Sequence, residues 1–290
     1  MKRFTLPCLL VALALTLSPS LAAQDSYFEL GVQGGDMPYN GDLSQSGLGF
    51  LSNWNTFGGF YLRYRPINRV GLRFNGVFGR IDASKDYTGG VSGDRRNYTR
   101  VFRSPITEFS LAAEVDLFYL GDPDDRFVAP YIMAGIGRTS FNPQGENRDG
   151  VFVDLQPLRT EGQGLGGGTY ESFPYDLDIV TFHLGGGVRA KLGERVVVGG
   201  EVSGRVTGTD YLDDVGATRV TYNDIYTRTD ISSPSESAYF SNPALTPGDV
   251  PDDYSYTRGG ASDDFYFLIN LTVGIRLGGF GSKGSGCYSF

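Results

Sequence analysis

Phe265-Tyr266-Phe267-Leu268-Ile269-Asn270-Leu271-Thr272-Val273-Gly274-Ile275-Arg276-Leu277 is the most regular stretch of the chain. Phe265, Phe267, Ile269, Leu271, Val273, Ile275 and Leu277 share one parity, and Tyr266, Asn270, Thr272, Gly274 and Arg276 fill most of the other. Successive side chains of a strand point to opposite faces, so a period of two marks a strand with one apolar face. A soluble sandwich strand rarely carries so long an unbroken apolar face.

The pattern recurs along the chain. Phe28, Leu30 and Val32 alternate with Glu29 and Gln33, and Phe60, Leu62 and Tyr64 with Tyr61, Arg63 and Arg65. Val70, Leu72, Phe74 and Phe78 oppose Arg69, Arg73 and Asn75; Phe109, Leu111, Ala113 and Val115 oppose Glu108, Ser110, Glu114 and Asp116. Val128, Ile132, Ala134 and Ile136 oppose Tyr131, Met133 and Gly135. Phe182, Leu184, Val188 and Ala190 oppose Thr181, His183, Arg189 and Lys191; Val196, Val198, Val202 and Val206 oppose Arg195, Glu201, Ser203 and Arg205.

Alternation alone does not say whether the apolar face looks inward or outward. The connections do. Short turns at Pro66-Ile67-Asn68, Gly121 to Asp125 and Gly193-Glu194 alternate with long polar loops at 35–55, 83–105, 142–178 and 208–263. Short turns at one end and long loops at the other are the outer-membrane barrel layout. The expected fold is therefore all-β: a transmembrane antiparallel up-and-down β-barrel of about eight strands, with short periplasmic turns and long extracellular loops. It would sit in the outer membrane of a Gram-negative bacterium, with lipid as its first partner. Backbone groups in lipid must all pair, so the sheet must close.

A bore of about eight strands has room only for side chains. Glu29, Glu108, Glu114, Asp116 and Glu201 would share it with Arg63, Arg73, Arg189, Arg205 and Arg276. Opposite charges confined in this way are expected to pair and plug the lumen, leaving no open diffusion pore. Tyr64, Phe78, Tyr119 and Phe265 fall near strand ends, where interfacial aromatic girdles belong.

The N-terminus reads as a processing signal. Lys2 and Arg3 precede a short apolar run, Leu6 to Leu17, and then the small residues Ser18 to Ala23. A bilayer-spanning helix needs roughly 20 apolar residues, so this run is too short to span. The expected division is a signal peptide at 1–23, the barrel at 24–277 and a flexible periplasmic tail at 278–290. Cys8 leaves with the signal, and Cys287 remains as the one mature cysteine. An odd cysteine in an oxidising compartment implies either an intermolecular disulfide or an unpaired thiol.

The net charge of −8 supplies no basic stripe for nucleic acid. Signs of catalysis are poor, and the expectation is a non-enzymatic chain without a cofactor. The single histidine, His183, falls mid-strand on the lumen face and is read as a hydrogen-bonded lumen residue rather than a triad member. One His and one mature Cys do not make a usual transition-metal site. Asp210, Asp213, Asp214, Asp252 and Asp253 lack the ligand spacing of a calcium loop and read as solvated loop charge. Gly162 to Gly168 lacks the Lys and Ser/Thr of a phosphate loop and reads as a flexible surface loop.

A series of short motifs follows one order through nearly the whole mature chain. It opens with Glu29-Leu30-Gly31 and Tyr39-Asn40-Gly41-Asp42-Leu43. Arg103-Ser104-Pro105-Ile106, Pro130-Tyr131, Phe141-Asn142-Pro143 and Asp154-Leu155-Gln156-Pro157-Leu158 come next. Thr160-Glu161-Gly162-Gln163-Gly164, Asp210-Tyr211-Leu212-Asp213-Asp214-Val215 and the late Cys287 complete it. The series resembles the PorG-like outer-membrane barrel family of the type IX secretion system. The resemblance implies a non-enzymatic part of a protein-export machine that contacts periplasmic ring subunits. It also suggests a subunit of that machine as the partner of Cys287. Two other classes remain open: a surface adhesion or defence barrel acting through its long outer loops, and an outer-membrane hydrolase with a site at the rim.

Overall fold

The computed structural model describes residues 26–44, 54–91, 95–123 and 125–277. The expected signal peptide at 1–23, the expected tail at 278–290 and Cys287 within it lie outside the described residues.

Eight strands make the barrel: β1 (Tyr27–Asp36), β2 (Thr56–Ile67), β3 (Val70–Gly89), β4 (Arg96–Asp116), β5 (Phe127–Phe141), β6 (Asp178–Leu192), β7 (Val196–Val206) and β8 (Phe265–Leu277). Each pairs antiparallel with the next. β8 returns to β1, in register from Phe28↔Leu277 to Asp36↔Ile269. The ring is closed and no barrel strand is left with a bare edge along the wall, which is what a backbone in hydrocarbon requires.

Burial is inverted relative to a soluble protein. Glu29 and Glu114 are 0% exposed, while Leu271 is 73%, Leu184 72% and Val32 62% exposed. In water each such side chain would forgo on the order of 25 cal/mol per Å² of apolar surface. Against lipid tails that cost vanishes, so the belt identifies the barrel as membrane-spanning. Two glycines show how the inner face is fitted. A Cβ on Gly31 would meet the Tyr61 ring at 2.4 Å, and one on Gly274 would meet the Tyr61 hydroxyl at 2.3 Å. The ring therefore lies across two bare backbone positions in the adjacent strands β1 and β8.

The structure corrects the expected loop at 83–105. β3 and β4 continue as one hairpin beyond the membrane, paired from Val70↔Val115 out to Gly89↔Arg96. Alternation persists there, but its sign changes. Inward positions of β3 pass from Arg73 and Asn75 to the apolar Val77, Ile81 and Ala83, all buried. Outward positions pass from Phe74 and Phe78 to Arg80 and Asp82. The hairpin leaves lipid and enters water, so its polarity inverts.

The remaining outer segments fold over the barrel as a cap. It holds α1 (Tyr222–Tyr226), α2 (Pro234–Ser241), and two short ladders joining Arg219–Thr221 to Ser255–Thr257 and Gln144–Glu146 to Phe152–Asp154. Pro234 sits in the first turn of α2, where its missing N–H costs nothing, and Pro243 follows just after its end. Val220, Tyr222, Ile225, Ala238 and Leu245 form one small core, and Leu155, Leu158 and Phe240 another.

Closed barrels of this kind resist detergent until heated. The purified chain is expected to migrate faster on gels unheated than boiled. Identical migration in both states would contradict a closed ring.

Candidate functional site

The lumen is the most highly organised polar region of the molecule. β1, β2, β3, β4 and β7 point Glu29, Arg63, Arg73, Glu114 and Glu201 into its middle because all five occupy the inward parity. Arg63 Nε donates to Glu114 Oε2 at 2.6 Å and its Nη2 to Oε1 at 3.2 Å, while Nη1 engages Glu29. Arg73 Nη1 donates to Glu201 Oε2 at 2.6 Å and to Glu114 Oε1 at 3.2 Å. Tyr61 donates to Glu29 at 2.8 Å and Tyr131 to Glu201 at 2.7 Å. Two smaller groups flank this centre. Toward the outer end Arg205 meets Glu108 at 3.2 and 3.3 Å, and Tyr266 donates to the same carboxylate at 2.7 Å. Toward the inner end Arg65 meets Asp116 at 2.6 and 3.0 Å, and Arg189 engages the same carboxylate.

Nine of the ten sequence-predicted lumen charges thus join ion pairs inside the bore. Arg276 departs: its guanidinium stacks on the rings of Tyr27 at 4.1 Å and Phe127 at 5.1 Å, and no carboxylate is recorded on it among the described residues. Arg65, Tyr61, Tyr131 and Tyr266 belong to the networks without having been singled out from sequence. Their inward parity is visible in the sequence, but the tyrosines carry no charge to set them apart as lumen partners. Tyr119 also departs from its girdle role, since its hydroxyl turns in to Asp116 and the Asn68 carbonyl.

His183 is in the lumen and buried, as its parity indicated. The expected hydrogen bond is missing: neither ring nitrogen has a partner. The ring lies over Gly135, where a Cβ would come within 2.2 Å of Nε2. It is held by packing, and among the described residues no Ser or Asp hydrogen-bonds to either nitrogen.

Above the charges the inner wall turns apolar. Met37, Phe57, Val77, Ile81, Ile106 and Leu268 form a layer, and Leu212 and Val215 of the outer loop pack into it. Two carboxylates staple that loop. Asp213 accepts from Tyr39 at 2.6 Å, Leu43 N at 3.1 Å and Val215 N at 2.9 Å. Asp264 accepts from Leu212 N at 2.9 Å and from the same Tyr39 hydroxyl at 3.2 Å. Asp214 takes a left-handed backbone, φ 64°, and is held by Thr160 at 2.5 Å and Tyr175 at 2.8 Å. The expectation that these aspartates are solvated is therefore wrong for Asp213 and Asp214, both buried, and right for the exposed Asp252 and Asp253. Nor is 162–168 simply a surface loop: Gln163 is buried, and its carbonyl accepts from Arg228 at 3.0 Å. Among the described residues no group of three or more His, Cys, Asp or Glu is placed to hold a metal ion.

Burial raises the carboxyl pKa of both Asp213 and Asp264, with Asp42 adding to the first and Asp213 and Asp210 to the second. Asp210 is pushed up to about 7 by burial and then by the charges of Asp42, Glu161 and Asp263.

Two outcomes are expected. Glu114→Ala leaves Arg63 and Arg73 short of a partner in a dry bore, at a cost of roughly 3–5 kcal/mol. The exposed Arg80–Asp82 pair, 3.3 Å apart, should matter little when Asp82 is replaced. Unfolding midpoints in urea check both, and equal midpoints for Glu114→Ala and wild type would contradict the network's role. The second outcome concerns pH. A carboxyl whose folded pKa is raised stabilises the fold fully below its unfolded value, about 4, and loses that contribution as pH rises through the folded value. The loop at 210–216 should exchange its amides faster as pH climbs from about 4 to about 7, after correction for intrinsic exchange, and Asp213→Asn should flatten that dependence. Equal protection on both sides of that range would contradict it.

No family model and no curated protein matches the chain. Among solved structures it is similar to the N-terminal β-barrel domain of Pseudomonas aeruginosa OprF, at 11% identity and TM-score 0.35, covering 88% of this chain and 100% of that one. It is similar to Ail, the attachment invasion locus protein of Yersinia pestis, at 8% identity and TM-score 0.33, covering 87% and 98%. It is also similar to the outer membrane protein OprG of Pseudomonas aeruginosa, at 11% identity and TM-score 0.37, covering 88% and 96%. The assignment of this chain as an outer-membrane barrel stands on its own closed hydrogen-bond ring and exposed apolar belt.

Proposed function

We propose that the chain is a sealed, non-enzymatic outer-membrane barrel that serves as a fixed component of a type IX protein-export machine, contacting periplasmic ring subunits from its inner end. The sealed lumen carries the first half of this reading. Ion pairs fill the bore and Leu212 and Val215 roof it, so a solute has no ready path through. Such a barrel works through its surfaces: the lipid-facing wall, the outer cap and the periplasmic face.

The motif series supports the export machine. Its two more specific members, Asp154 to Leu158 and Asp210 to Val215, both build the cap. Leu155 and Leu158 pack on Phe240, while Leu212 and Val215 close the barrel mouth. A second reading, surface adhesion, is favoured by the same cap, which is a folded unit with its own apolar cores and stands outside the membrane.

Deleting the gene is expected to trap export cargo in the periplasm, with release restored by the wild-type chain. Mild-detergent purification should bring down periplasmic subunits. A reducible higher-mass band on non-reducing gels, lost in Cys287→Ser, would identify a covalent partner. Normal export together with lost surface attachment would replace the export reading with adhesion.

A further inference from the structure

The cap contains a cavity of about 30 Å³, outside the lumen and separate from its ion pairs. Its wall combines β4 near Arg100, the 145–146 ladder strand, the loop at Asp213 and Val215, the end of α2 at Phe240, and Arg258. Two guanidinium groups on so small a cavity call for an account of their counter-charges.

Arg258 has them. It lies 3.3 Å from Asp214 and 3.5 Å from Glu161. Arg100 does not. Its Nη2 donates to the Ser241 carbonyl at 3.0 Å, and its Cζ lies 5.3 and 5.8 Å from the ring centres of Tyr87 and Tyr98. Its Nε and Nη1 are buried without any acceptor, as is Nε of Arg258. No ion pair is recorded for Arg100 among the described residues. Burial, and then the charge of Arg258, pull its pKa down. The residue as a whole is half-buried, but two guanidinium donors shut away from water without an acceptor are costly for a fold to carry. Stacked tyrosines offset part of that cost. Unused guanidinium donors remain, and these are the groups that bind carboxylates most strongly.

We propose that this cavity is an anion site that accepts one carboxylate head group, bound by Arg100 with Arg258 beside it. Its size decides the class. A water needs roughly 10–15 Å³ of such space, so about 30 Å³ holds two or three non-hydrogen atoms: the head of a carboxylate fits with its substituent in the mouth, and the five atoms of a sulfate do not. The acidic groups on the wall are compatible with this. Asp213 is held toward its protonated form by burial, and Glu146 Oε1 lies toward the Gly150 turn. The site stands on the cap alone and does not depend on the export reading.

Full-length protein in detergent, titrated with sodium formate at constant ionic strength set by sodium sulfate, tests it by amide exchange around 99–102 and 239–243. Exchange in wild type should slow saturably, by about tenfold at ten times the half-saturating formate concentration. Arg100→Gln should show no such response. Triglycine with a free C-terminus, compared with its amide, separates the sources: protection by formate alone means a free carboxylate suffices, and protection only by the acid peptide means a chain terminus is required. Crystals soaked in bromide give a readout that needs no variant, with an anomalous peak within hydrogen-bond reach of Arg100 Nε or Nη1. If Arg100→Gln does not fold, that peak decides. An equal response in Arg100→Gln overturns the proposal. So does protection by neither carboxylate, or a cavity without bromide where the variant cannot be read.

Discussion

Closure of the hydrogen-bond ring is the constraint on which the rest of this structure depends. Once β8 returns to β1, every strand has one face in lipid and one in a bore that water barely enters. The outer face must then be apolar, and the inner face must neutralise whatever charge it holds. Glu114 between Arg63 and Arg73, Glu201 on Arg73, and Asp116 between Arg65 and Arg189 are that neutralisation. Any one of these groups alone would be a liability. Together they convert a polar inner face into a solid core.

The same reasoning explains where the bore ends. Beyond the membrane, the outer face of the β3–β4 hairpin meets water and the inner face meets the cap, so the polarity of both faces reverses. Ile81 and Phe102 are buried on strands whose inward positions lower down carry Arg73 and Glu114. The aspartates of 210–216 bring backbone N–H groups and a tyrosine hydroxyl to the buried end of that loop, and the cap is fastened there.

This inversion also marks how far the sequence could be read. Strict alternation with constant sign, as in 265–277, located all eight strands and nearly every lumen charge. Beyond Arg80 the sign reverses, and the same alternation reads as the loop at 83–105, because a lipid-facing apolar stripe is what marks a strand of this barrel in the sequence. The fold of the cap was not legible. Its elements are short, and Asp213 looks like any loop aspartate until Tyr39, Leu43 and Val215 are seen to converge on it from distant parts of the chain. Arg276 and His183 show the limit of parity: it fixes which side a residue faces and does not fix its partner. Arg276 found rings, and His183 found the space above Gly135.

The central claim is that the barrel is a plugged structural element. Single-channel recording of the wild-type protein in planar bilayers addresses it most directly. The account predicts a silent membrane containing inserted, heat-modifiable barrels. Steady conductance steps from the wild type would show that the lumen is open, and the network of Glu29, Arg63, Arg73, Glu114 and Glu201 would then be the lining of a pore and not its seal.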